Sequence, residues 1–304
     1  MKFWANHEIL ESEAVSIHPL STALKYGAGV FEGLRGYWNA EQEQLHIFRL
    51  DEHLKRLQDS AKILRFTPMP TSEELAAGTR EVLRADNIAT DVHIRIQVFV
   101  DAVGGFIDAQ GPIKTFISAV PMGRHNEGAG KHIGVSSWRR ISDSTMPPRI
   151  KSVANYENSR LALLEAQRHG YDDAVLLTSD GHVSEGPGYN VFIRRGDQLV
   201  TPAVTDGILE GVTRDSIITL ARTLDVEVVE RSIDRTELYI AEEVFFVGTA
   251  GEVTPILSVD QINVGEGQTG ELTQKLREVY LEVARNERED RFGWLTTVNA
   301  EKGK

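Results

Sequence analysis

The stretch Ile150–Tyr156 constrains the fold more than any other part of this sequence. It places Lys151 at the end of an extended segment and Tyr156 at the start of a helix predicted over Glu157–Arg168. A strand that leads into a helix in this way can bring an amine and a phenol into one pocket. A lysine in a loop is most often only a solvated charge, so the spacing alone leaves both interpretations open.

A turn signal further along the chain supplies a carboxylate. Ala174–Thr178 is a predicted strand, and Ser179–His182 (Ser-Asp-Gly-His) is a strong hairpin-turn signal. Such a turn returns the chain to Glu185, so we expect this carboxylate to come back toward Lys151. Amine, phenol and carboxylate are the groups that the ring of pyridoxal 5'-phosphate needs around its edge. The amine would form a Schiff base, the phenol would bond the ring oxygen, and the carboxylate would keep the ring nitrogen protonated.

Composition excludes several classes of function. At 304 residues the chain is long enough for two domains, and its 41% hydrophobic and 26% charged content is typical of a globular protein. A net charge of −12 argues against a nucleic-acid surface, and there is no cysteine for a disulfide or a thiolate metal site. The histidines form no His-Glu-x-x-His pair, and no apolar run approaches the roughly 18 residues of a membrane span. We therefore expect a cytoplasmic enzyme without a metal site, a membrane span or a nucleic-acid partner.

Four short motifs occur in the order of a known family. They are Lys-x-x-x-Asn-Tyr, Arg-His-Gly-Tyr, Ser-Glu-Gly and Asn-Val-Phe, which begin at Lys151, Arg168, Ser184 and Asn190. With these motifs the chain resembles the class IV pyridoxal-phosphate-dependent aminotransferases, and within them the branched-chain amino acid aminotransferases. The resemblance runs from about Ala5 to Val298. It implies that Lys151 carries the cofactor and that Tyr156, Glu185 and Asn190 contact it.

The resemblance also implies a fold, the type IV pyridoxal-phosphate α/β fold, with two domains of mixed sheets and the cofactor in the cleft between them. We assign residues 1–121 to a smaller N-terminal domain, 122–131 to a glycine-containing linker, and 132–304 to a larger domain that carries Lys151. Enzymes of this fold are homodimers or higher homo-oligomers with shared active sites, because each site borrows a loop from the neighbouring subunit. The loop Asp101–Gly111 is the candidate for that loop.

One arginine is a candidate for binding the cofactor phosphate. Asp51 is a plausible N-cap for a helix whose apolar stripe consists of Leu54, Leu57, Ala61 and Leu64. Arg56 lies beside that stripe, where an arginine is usually solvated. In the resembled family the segment similar to Arg56–Lys62 binds the phosphate through its arginine, and a guanidinium matches a phosphate in geometry and charge.

Two glycine-containing corners can offer backbone N–H groups to an anion. One is Gly211–Thr213 before a predicted helix, although Thr213 could be an ordinary N-cap instead. The other is Gly248–Ala250, directly after the apolar strand Val244–Val247. A helix N-terminus favours negative charge, so the corners and Arg56 together predict a phosphate cup. The predicted cofactor set from these segments is Leu209, Gly211, Val212, Thr213, Gly248 and Thr249, and the predicted substrate set includes Thr249 and Ala250.

The remaining substrate residues come from two predicted strands. The string Tyr-Gly-Ala-Gly-Val-Phe-Glu-Gly is by itself a tight turn leading into a strand. In the resembled family it lines the substrate pocket, through the residues that match Tyr26 and Phe31. In a second predicted strand, apolar residues occupy every second position and leave His93 and Arg95 on the other face. That face could simply be solvent-exposed. The resemblance places this arginine near the substrate carboxylate.

The sequence departs from the family at two positions of the expected pocket. His93 stands where the family usually has tyrosine, and Met122 stands where it commonly has tryptophan. A histidine can titrate near neutral pH, and a methionine is a more flexible wall than a tryptophan. These changes predict a roomier, more permissive pocket and leave the cofactor chemistry unaffected.

The implied reaction is transamination from leucine, isoleucine or valine to 2-oxoglutarate, through a pyridoxal-phosphate Schiff base on Lys151. Within the same fold, the changes in the pocket leave D-amino acids, (R)-amines or a lyase reaction as alternatives. A remote alternative is a nucleotide-dependent oxidoreductase, because Gly265–Gly270 fits the pattern G-x-G-x-x-G. That pattern belongs in a leading βαβ unit, whereas here it lies late in the chain. We expect a glycine-rich hairpin there instead, before a final helix over Leu272–Arg285.

Overall fold

The computed structural model describes residues 1–105, 107, 111–123 and 130–299. Parts of the predicted loop Asp101–Gly111 and of the predicted linker 122–131 lie outside these residues. The chain divides into two compact units. The described part of the first unit comprises residues 1–123 apart from the gaps just given, 150–154 and 282–299, and that of the second comprises 130–149 and 155–281. Lys151 belongs to the first unit and Glu185 to the second.

In chain order the described residues form strands and helices with the following bounds. The strands are β1 (Lys2–Ala5), β2 (Glu8–Glu11), β3 (Gly29–Asn39), β4 (Gln44–Phe48), β5 (Val92–Val100), β6 (Ile113–Pro121), β7 (Lys131–Arg139), β8 (Asp173–Leu177), β9 (Asn190–Arg195), β10 (Gln198–Thr201), β11 (Glu227–Glu230), β12 (Glu243–Gly248), β13 (Glu252–Val259), β14 (Ile262–Asn263) and β15 (Leu295–Thr297). The helices are α1 (Thr22–Tyr26), α2 (Leu50–Ile63), α3 (Ser72–Ala85), α4 (Tyr156–Arg168), α5 (Val212–Thr223), α6 (Glu237–Ile240) and α7 (Glu271–Ala284). Within the described ranges, no helix combines the length and the apolar character needed to cross a membrane.

The first unit is built on one antiparallel sheet with the strand order β15-β4-β3-β5-β6-β1-β2. Every second residue of β5 is fully buried in a core shared with α2 and α3, namely Val92, Ile94, Ile96, Val98 and Val100. The opposite face of β5 presents His93 and Arg95, both half-buried. The strict alternation predicted for this strand is therefore confirmed, and it sets the direction of both polar side chains.

The first residues of α2 differ from the prediction. The helix begins at Leu50, so the prediction that Asp51 is its N-cap is wrong. The N-cap is Arg49, whose left-handed backbone (φ 53°) turns the chain from β4 directly into the helix. Asp51 instead lies in the first turn, where a carboxylate is favoured by the helix dipole. The predicted apolar stripe is confirmed for Leu54, Leu57 and Ala61, which are buried, whereas Leu64 is the C-cap of α2 and is only half-buried.

The second unit is built on a mixed sheet with the strand order β11-β10-β9-β12-β13-β7-β8, and β14 pairs with β13. The pairs β10–β11, β13–β7 and β7–β8 are parallel, and the other pairs are antiparallel. The parallel pair β7–β8 is joined through the lysine-bearing segment and α4, which is the crossover connection that parallel strands require. This arrangement brings the chain from Lys151 through α4 to the strand that precedes Glu185.

The glycine pattern at Gly265–Gly270 is not a dinucleotide site. It lies between the two-residue strand β14 and α7, and β14 pairs antiparallel with β13. The N-terminus of α7 is already occupied by the Glu243 carboxylate. This carboxylate accepts hydrogen bonds from the backbone N–H groups of Leu272 (3.1 Å) and Thr273 (2.8 Å). A side chain at Gly270 would collide with the Glu243 carboxylate. The last glycine therefore makes room for an internal cap rather than for a nucleotide phosphate.

Candidate active site

Lys151 is fixed through the backbone of its own short segment, Ile150–Ala154, which we call the lysine segment. The Phe31 N–H donates to the Lys151 carbonyl (3.0 Å), and the Val153 N–H donates to the Gly29 carbonyl (3.0 Å). Within β3, only the last residues, Gly36–Asn39, pair with β4. Beside the first residues of β3 the lysine segment takes the place of a partner strand, through a bridge between Val30 and Ser152. Lys151 follows a turn at residues 148–150 and precedes the bridge residue Ser152, and β7 already ends at Arg139, so the prediction that Lys151 ends an extended segment is wrong.

Two side chains of the first unit define the surroundings of Lys151. The Lys151 N–H donates to the hydroxyl of Ser60 (3.0 Å), and this hydroxyl donates to the Arg56 carbonyl in α2 (2.8 Å). The Lys151 ammonium nitrogen lies 5.1 Å from the centroid of the Phe31 ring. The structure therefore brings together two residues that the sequence predicted for the site, Lys151 and Phe31, and adds Ser60.

Arg56 is not a solvated helix arginine, and that alternative is wrong. Its Nε and Nη2 atoms bond the two carboxylate oxygens of Glu32, at 2.7 and 2.8 Å. His53 Nδ1 contacts the same carboxylate at 2.7 Å. Burial opposes the charge on Glu32, yet Arg56 and His53 hold its pKa well below the usual range. Burial also lowers the pKa of His53, against the opposing effect of Glu32. Arg56 thus forms an ion pair with the buried carboxylate of Glu32.

The face of the first sheet that carries Phe31 is strongly cationic. In the register of β3 and β5, Gly33 lies opposite Arg95, and Arg35 lies opposite His93. The Arg95 guanidinium carbon stacks 3.6 Å from the Phe31 ring centroid. Burial, followed by the charges of Arg35, Arg95 and Lys151, lowers the pKa of His93 to about 4. The expectation that His93 titrates near neutral pH is therefore wrong, because burial and the neighbouring cations both disfavour its charged form.

The depressed pKa of His93 predicts a pH dependence of stability. The unfolded chain takes up a proton near pH 6.5, whereas the folded protein resists it until about pH 4. The contribution of His93 to stability is therefore complete above pH 6.5 and is lost as the pH falls toward 4. His93→Gln should lose less stability than the natural protein between these values, as measured by urea unfolding at a series of pH values. Equal slopes for the two proteins would contradict a neutral buried imidazole.

The other predicted substrate residues of the first unit lie at its periphery. Tyr26 ends α1, and its side chain is 48% exposed beneath the ammonium of Lys25, which lies 5.0 Å from the ring centroid. Met122 follows β6, and its N–H donates to the Asp91 carbonyl (2.9 Å). Their roles in substrate binding stay predictions.

In the second unit, Tyr156 occupies the position that the sequence predicted. It is the first residue of α4, after the N-cap Asn155. The Asn155 side chain donates to the Pro147 carbonyl (2.9 Å) and so ties the helix start to the preceding loop. The start of α4 therefore fixes the backbone of Tyr156, five residues after Lys151.

Glu185 is a buried carboxylate, only 5% exposed. The predicted hairpin turn is present, because the Thr178 N–H donates to the His182 carbonyl (2.8 Å). One carboxylate oxygen of Glu185 contacts Nη2 of Arg140 at 2.6 Å. The other accepts hydrogen bonds from the Asn190 amide (2.9 Å) and the Leu209 N–H (3.0 Å). Asn190 and Leu209, both predicted for the cofactor, thus orient Glu185.

The first predicted anion corner is the N-terminus of α5. Its N-cap is Gly211, which has no side chain to cap the helix, so the alternative that Thr213 is the N-cap is wrong. Val212 and Thr213 are the first helical residues. A side chain at Gly211 would collide with the Asn190 amide, which explains the glycine by packing. The helix therefore presents its N-terminal backbone beside the residues that hold Glu185.

The second predicted anion corner joins two antiparallel strands. Gly248 ends β12 and pairs with Glu252, the first residue of β13. Thr249, Ala250 and Gly251 form the turn between them. These three residues supply a short run of backbone N–H groups at the end of a hairpin, and we call Gly248–Gly251 the hairpin corner.

Comparison with known proteins decides the family. A family model described as "Amino-transferase class IV" matches residues 29–259. This chain belongs to the class IV aminotransferases. The branched-chain-amino-acid aminotransferase of Escherichia coli (strain K12) is 40% identical over 302 residues, which cover 97% of each chain. The family that the sequence motifs resemble is therefore confirmed.

Solved structures of other class IV aminotransferases have the same fold as this chain. A branched-chain aminotransferase from Thermoproteus uzoniensis, solved with norvaline, has a TM-score of 0.93 at 40% identity and covers 98% of this chain and 99% of its own. A branched-chain amino acid aminotransferase from Thermobaculum terrenum, solved in its pyridoxal-phosphate form, has a TM-score of 0.94 at 39% identity, with 98% of each chain covered. The predicted α/β class with mixed sheets is confirmed.

In each unit the predicted residues have neighbours that the sequence did not single out: Glu32, Arg35, His53 and Ser60 in the first unit, and Arg140 in the second. Two of them carried a detectable signal. Arg35 lies four positions after Phe31 in β3, and side chains an even number of positions apart in a strand point to the same face. His53 lies on the apolar side of α2, where a polar residue needs a buried partner. Nothing local to Arg140 indicates that it pairs with Glu185.

The residues of this class IV aminotransferase fit pyridoxal 5'-phosphate by their chemistry. They include a lysine amine, a buried carboxylate held by an arginine, and an α5 N-terminus without a side-chain cap. No cluster of three or more histidine, aspartate or glutamate side chains that could hold a metal ion occurs in the described part of the chain.

Proposed function

We propose that this protein transfers the amino group of branched-chain L-amino acids to 2-oxoglutarate, with pyridoxal 5'-phosphate held by Lys151. The observation that carries the reaction class is the lysine segment, whose backbone is bonded to β3 beside Phe31. The substrate class rests on the full-length similarity to proteins named for branched-chain amino acids. D-amino acids, (R)-amines and a lyase reaction have no such support.

Each residue has a role that follows from its chemistry. When bound, pyridoxal phosphate withdraws electrons from the substrate carbon that loses its proton. Lys151 would hold the cofactor through its Nζ atom, and the same amine would move the proton that the substrate Cα atom loses. Glu185 would favour the protonated form of the ring nitrogen, and its contact with Arg140 Nη2 (2.6 Å) orients that carboxylate. Tyr156 bonds the ring oxygen.

The phosphate has a separate set of proposed ligands. Arg56 supplies the charge, and Glu32 fixes the direction of its guanidinium through two hydrogen bonds. The N-terminal backbone of α5 supplies N–H groups at Gly211–Thr213, and the hairpin corner supplies those of Thr249 and Ala250. Thr249 and Ala250 also serve the substrate carboxylate in this proposal.

The cationic face of the first unit suits a substrate that carries carboxylates. Arg95 and Arg35 favour the negative charges of a 2-oxo acid, and the neutral His93 offers a hydrogen bond without adding charge. Phe31 offers an apolar wall under Arg95, which suits a branched aliphatic side chain. The same pocket can thus accept an apolar amino donor and a dicarboxylate acceptor in turn.

A substrate panel tests both the function and the pocket. We expect the highest kcat/KM for L-leucine, L-isoleucine and L-valine against 2-oxoglutarate, with low but measurable rates for L-phenylalanine and (R)-1-phenylethylamine. Met122→Trp should lower the rates for the bulky donors roughly tenfold relative to L-leucine, since one pocket group is worth about 1–3 kcal/mol. Preference for D-alanine or the (R)-amine would overturn the proposed substrate class. An unchanged profile in Met122→Trp would remove Met122 from the pocket.

A homo-oligomer with shared active sites also stays part of the proposal. The first unit exposes large apolar side chains near Tyr26 in sequence and on the segment that follows β5, namely Ile17 (40% exposed), Leu20 (54%), Leu24 (62%) and Val103 (60%). Exposed apolar groups of this kind favour burial against another subunit. The cytoplasmic location stays a prediction of the sequence.

A further inference from the structure

Tyr189 lies beneath the hairpin corner, and no role in the site has been given to it so far. Its ring stacks on Phe246 of β12, with centroids 5.4 Å apart and an angle of 2° between the planes. The Lys131 ammonium lies 4.9 Å from the centroid of the same ring, and it pairs with Asp173 at 2.5 Å. The ring is therefore fixed by an aromatic contact and by a paired cation.

The backbone of the hairpin corner rests directly on this ring. A Cβ atom at Gly248 would lie 3.2 Å from Cδ1 of Tyr189 and 3.0 Å from the Gly188 carbonyl oxygen. A Cβ atom at Gly251 would collide with Cε1 of the Tyr189 ring. Neither glycine has a positive φ, so neither is needed for backbone conformation. The glycines at both ends of the corner are there because the ring approaches the backbone so closely.

The same tyrosine is also tied to the turn that follows Glu185. The Gly186 N–H donates to the Tyr189 carbonyl (2.8 Å), which closes the turn between the carboxylate and the ring. A Cβ atom at Gly186 would lie 3.0 Å from the Phe246 ring. One residue thus connects the segment that carries Glu185 with the corner that carries Thr249 and Ala250.

We propose that Tyr189 is a positioning residue. Its ring fixes the position of the hairpin corner and thereby directs the Thr249 and Ala250 N–H groups toward an oxyanion. The oxyanion is either the carboxylate of the substrate or the phosphate of the cofactor. This inference rests on the proposed function for the identity of the ligand. In this inference Tyr189 acts through the corner, on which its ring packs at Gly248 and Gly251.

The test compares Tyr189→Ala, Tyr189→Leu and Tyr189→Phe with the natural protein. Removing the ring should raise KM for amino donor and 2-oxo acid about tenfold and change kcat less than about threefold, since a misplaced donor mainly weakens binding. Tyr189→Phe should resemble the natural protein, because the ring rather than the hydroxyl supports the corner. Tyr189→Leu gives the same comparison with less lost volume if the alanine variant does not fold. Tyr171→Ala is the matched control, because a Cβ atom at Gly134 would likewise lie 2.6 Å from its ring.

A compensation experiment separates positioning from general destabilisation. Gly251→Ala should be impaired because its methyl group meets the ring, and the same change should cost much less in the Tyr189→Ala or Tyr189→Leu background. Additive effects of the two changes would overturn the inference. So would KM values in the ring-deleted proteins within about twofold of the natural ones together with unchanged cofactor binding.

The source of the oxyanion follows from a parallel titration of the cofactor-free proteins with pyridoxal 5'-phosphate. Weaker cofactor binding in Tyr189→Ala assigns the corner to the phosphate, and a raised KM with unchanged cofactor binding assigns it to the substrate carboxylate. If the natural protein shows no transamination, the proposed function fails, and the titration still tests the corner. If it transaminates and both measurements are insensitive to the ring, only the inference about Tyr189 fails.

Discussion

Lys151→Ala is expected to abolish transamination while the protein stays folded. The lysine amine provides both the bond to the cofactor and the proton transfer, so the loss in kcat should reach roughly 10⁴-fold, the upper range for a positioned acid–base group. The segment itself is held through backbone atoms, at Phe31 N–H and the Ser60 hydroxyl, and these contacts survive the substitution. Unfolding in urea should therefore change by less than about 1 kcal/mol.

Chemical labelling identifies the reactive lysine independently of activity. Borohydride reduction of the cofactor-loaded protein, followed by peptide mapping, should mark Lys151. Lys55→Ala is the control variant, because this lysine is 75% exposed and pairs with Asp59 within α2. The control should keep full activity and the same labelled peptide. A label on any other lysine, or residual activity in Lys151→Ala comparable to the natural protein, would reject the assignment.

The sequence was informative where a single period or a single turn determines the structure. The alternation of β5 fixed the common face of His93 and Arg95, since every second side chain of a strand points the same way. The turn at Ser179–His182 returned the chain to Glu185 because a short hairpin has little conformational choice. Local rules were sufficient in both places.

The sequence was uninformative where a strand is buried on both faces. Ten of the eleven residues of β3 are buried. Its sequence, with Glu32 and Arg35 among apolar residues, therefore does not alternate between buried apolar and exposed polar positions. The buried charges there are stabilised by partners from other elements, as Glu32 is by His53 and Arg56 in α2. Pairings of this kind join residues far apart in sequence, and no local pattern encodes them.

The environment of a residue likewise changed its chemistry beyond what its type indicates. His93 was expected to titrate near neutrality, as an unperturbed imidazole does. The cations Arg35, Arg95 and Lys151 come together only in the folded chain, and with burial they lower its pKa to about 4. Arg140 is a similar case, because its importance arises from a contact with Glu185 across the second unit.

The pair of Glu185 and Arg140 gives the second prediction with a large effect, because one substitution alters catalysis and stability together. Both side chains are only 6% exposed, so Glu185→Gln leaves a buried guanidinium without the charge that faces it. Breaking such a pair costs about 3–5 kcal/mol of folding stability. The same change removes the carboxylate that favours a protonated ring nitrogen. We expect kcat to fall roughly 10²–10³-fold, the scale for losing one preorganised electrostatic group.

Replacing both partners separates the two effects. Glu185→Gln combined with Arg140→Met removes the unpaired charge, so stability should return to within about 2 kcal/mol of the natural protein. Activity should stay as low as in Glu185→Gln, because the carboxylate is still missing. Arg140→Met alone should be destabilised yet retain more activity than either glutamine variant. The measurements are urea unfolding and kcat for the natural protein, the two single variants and the double variant. If the double variant regains activity together with stability, Glu185 serves the fold and not the ring nitrogen.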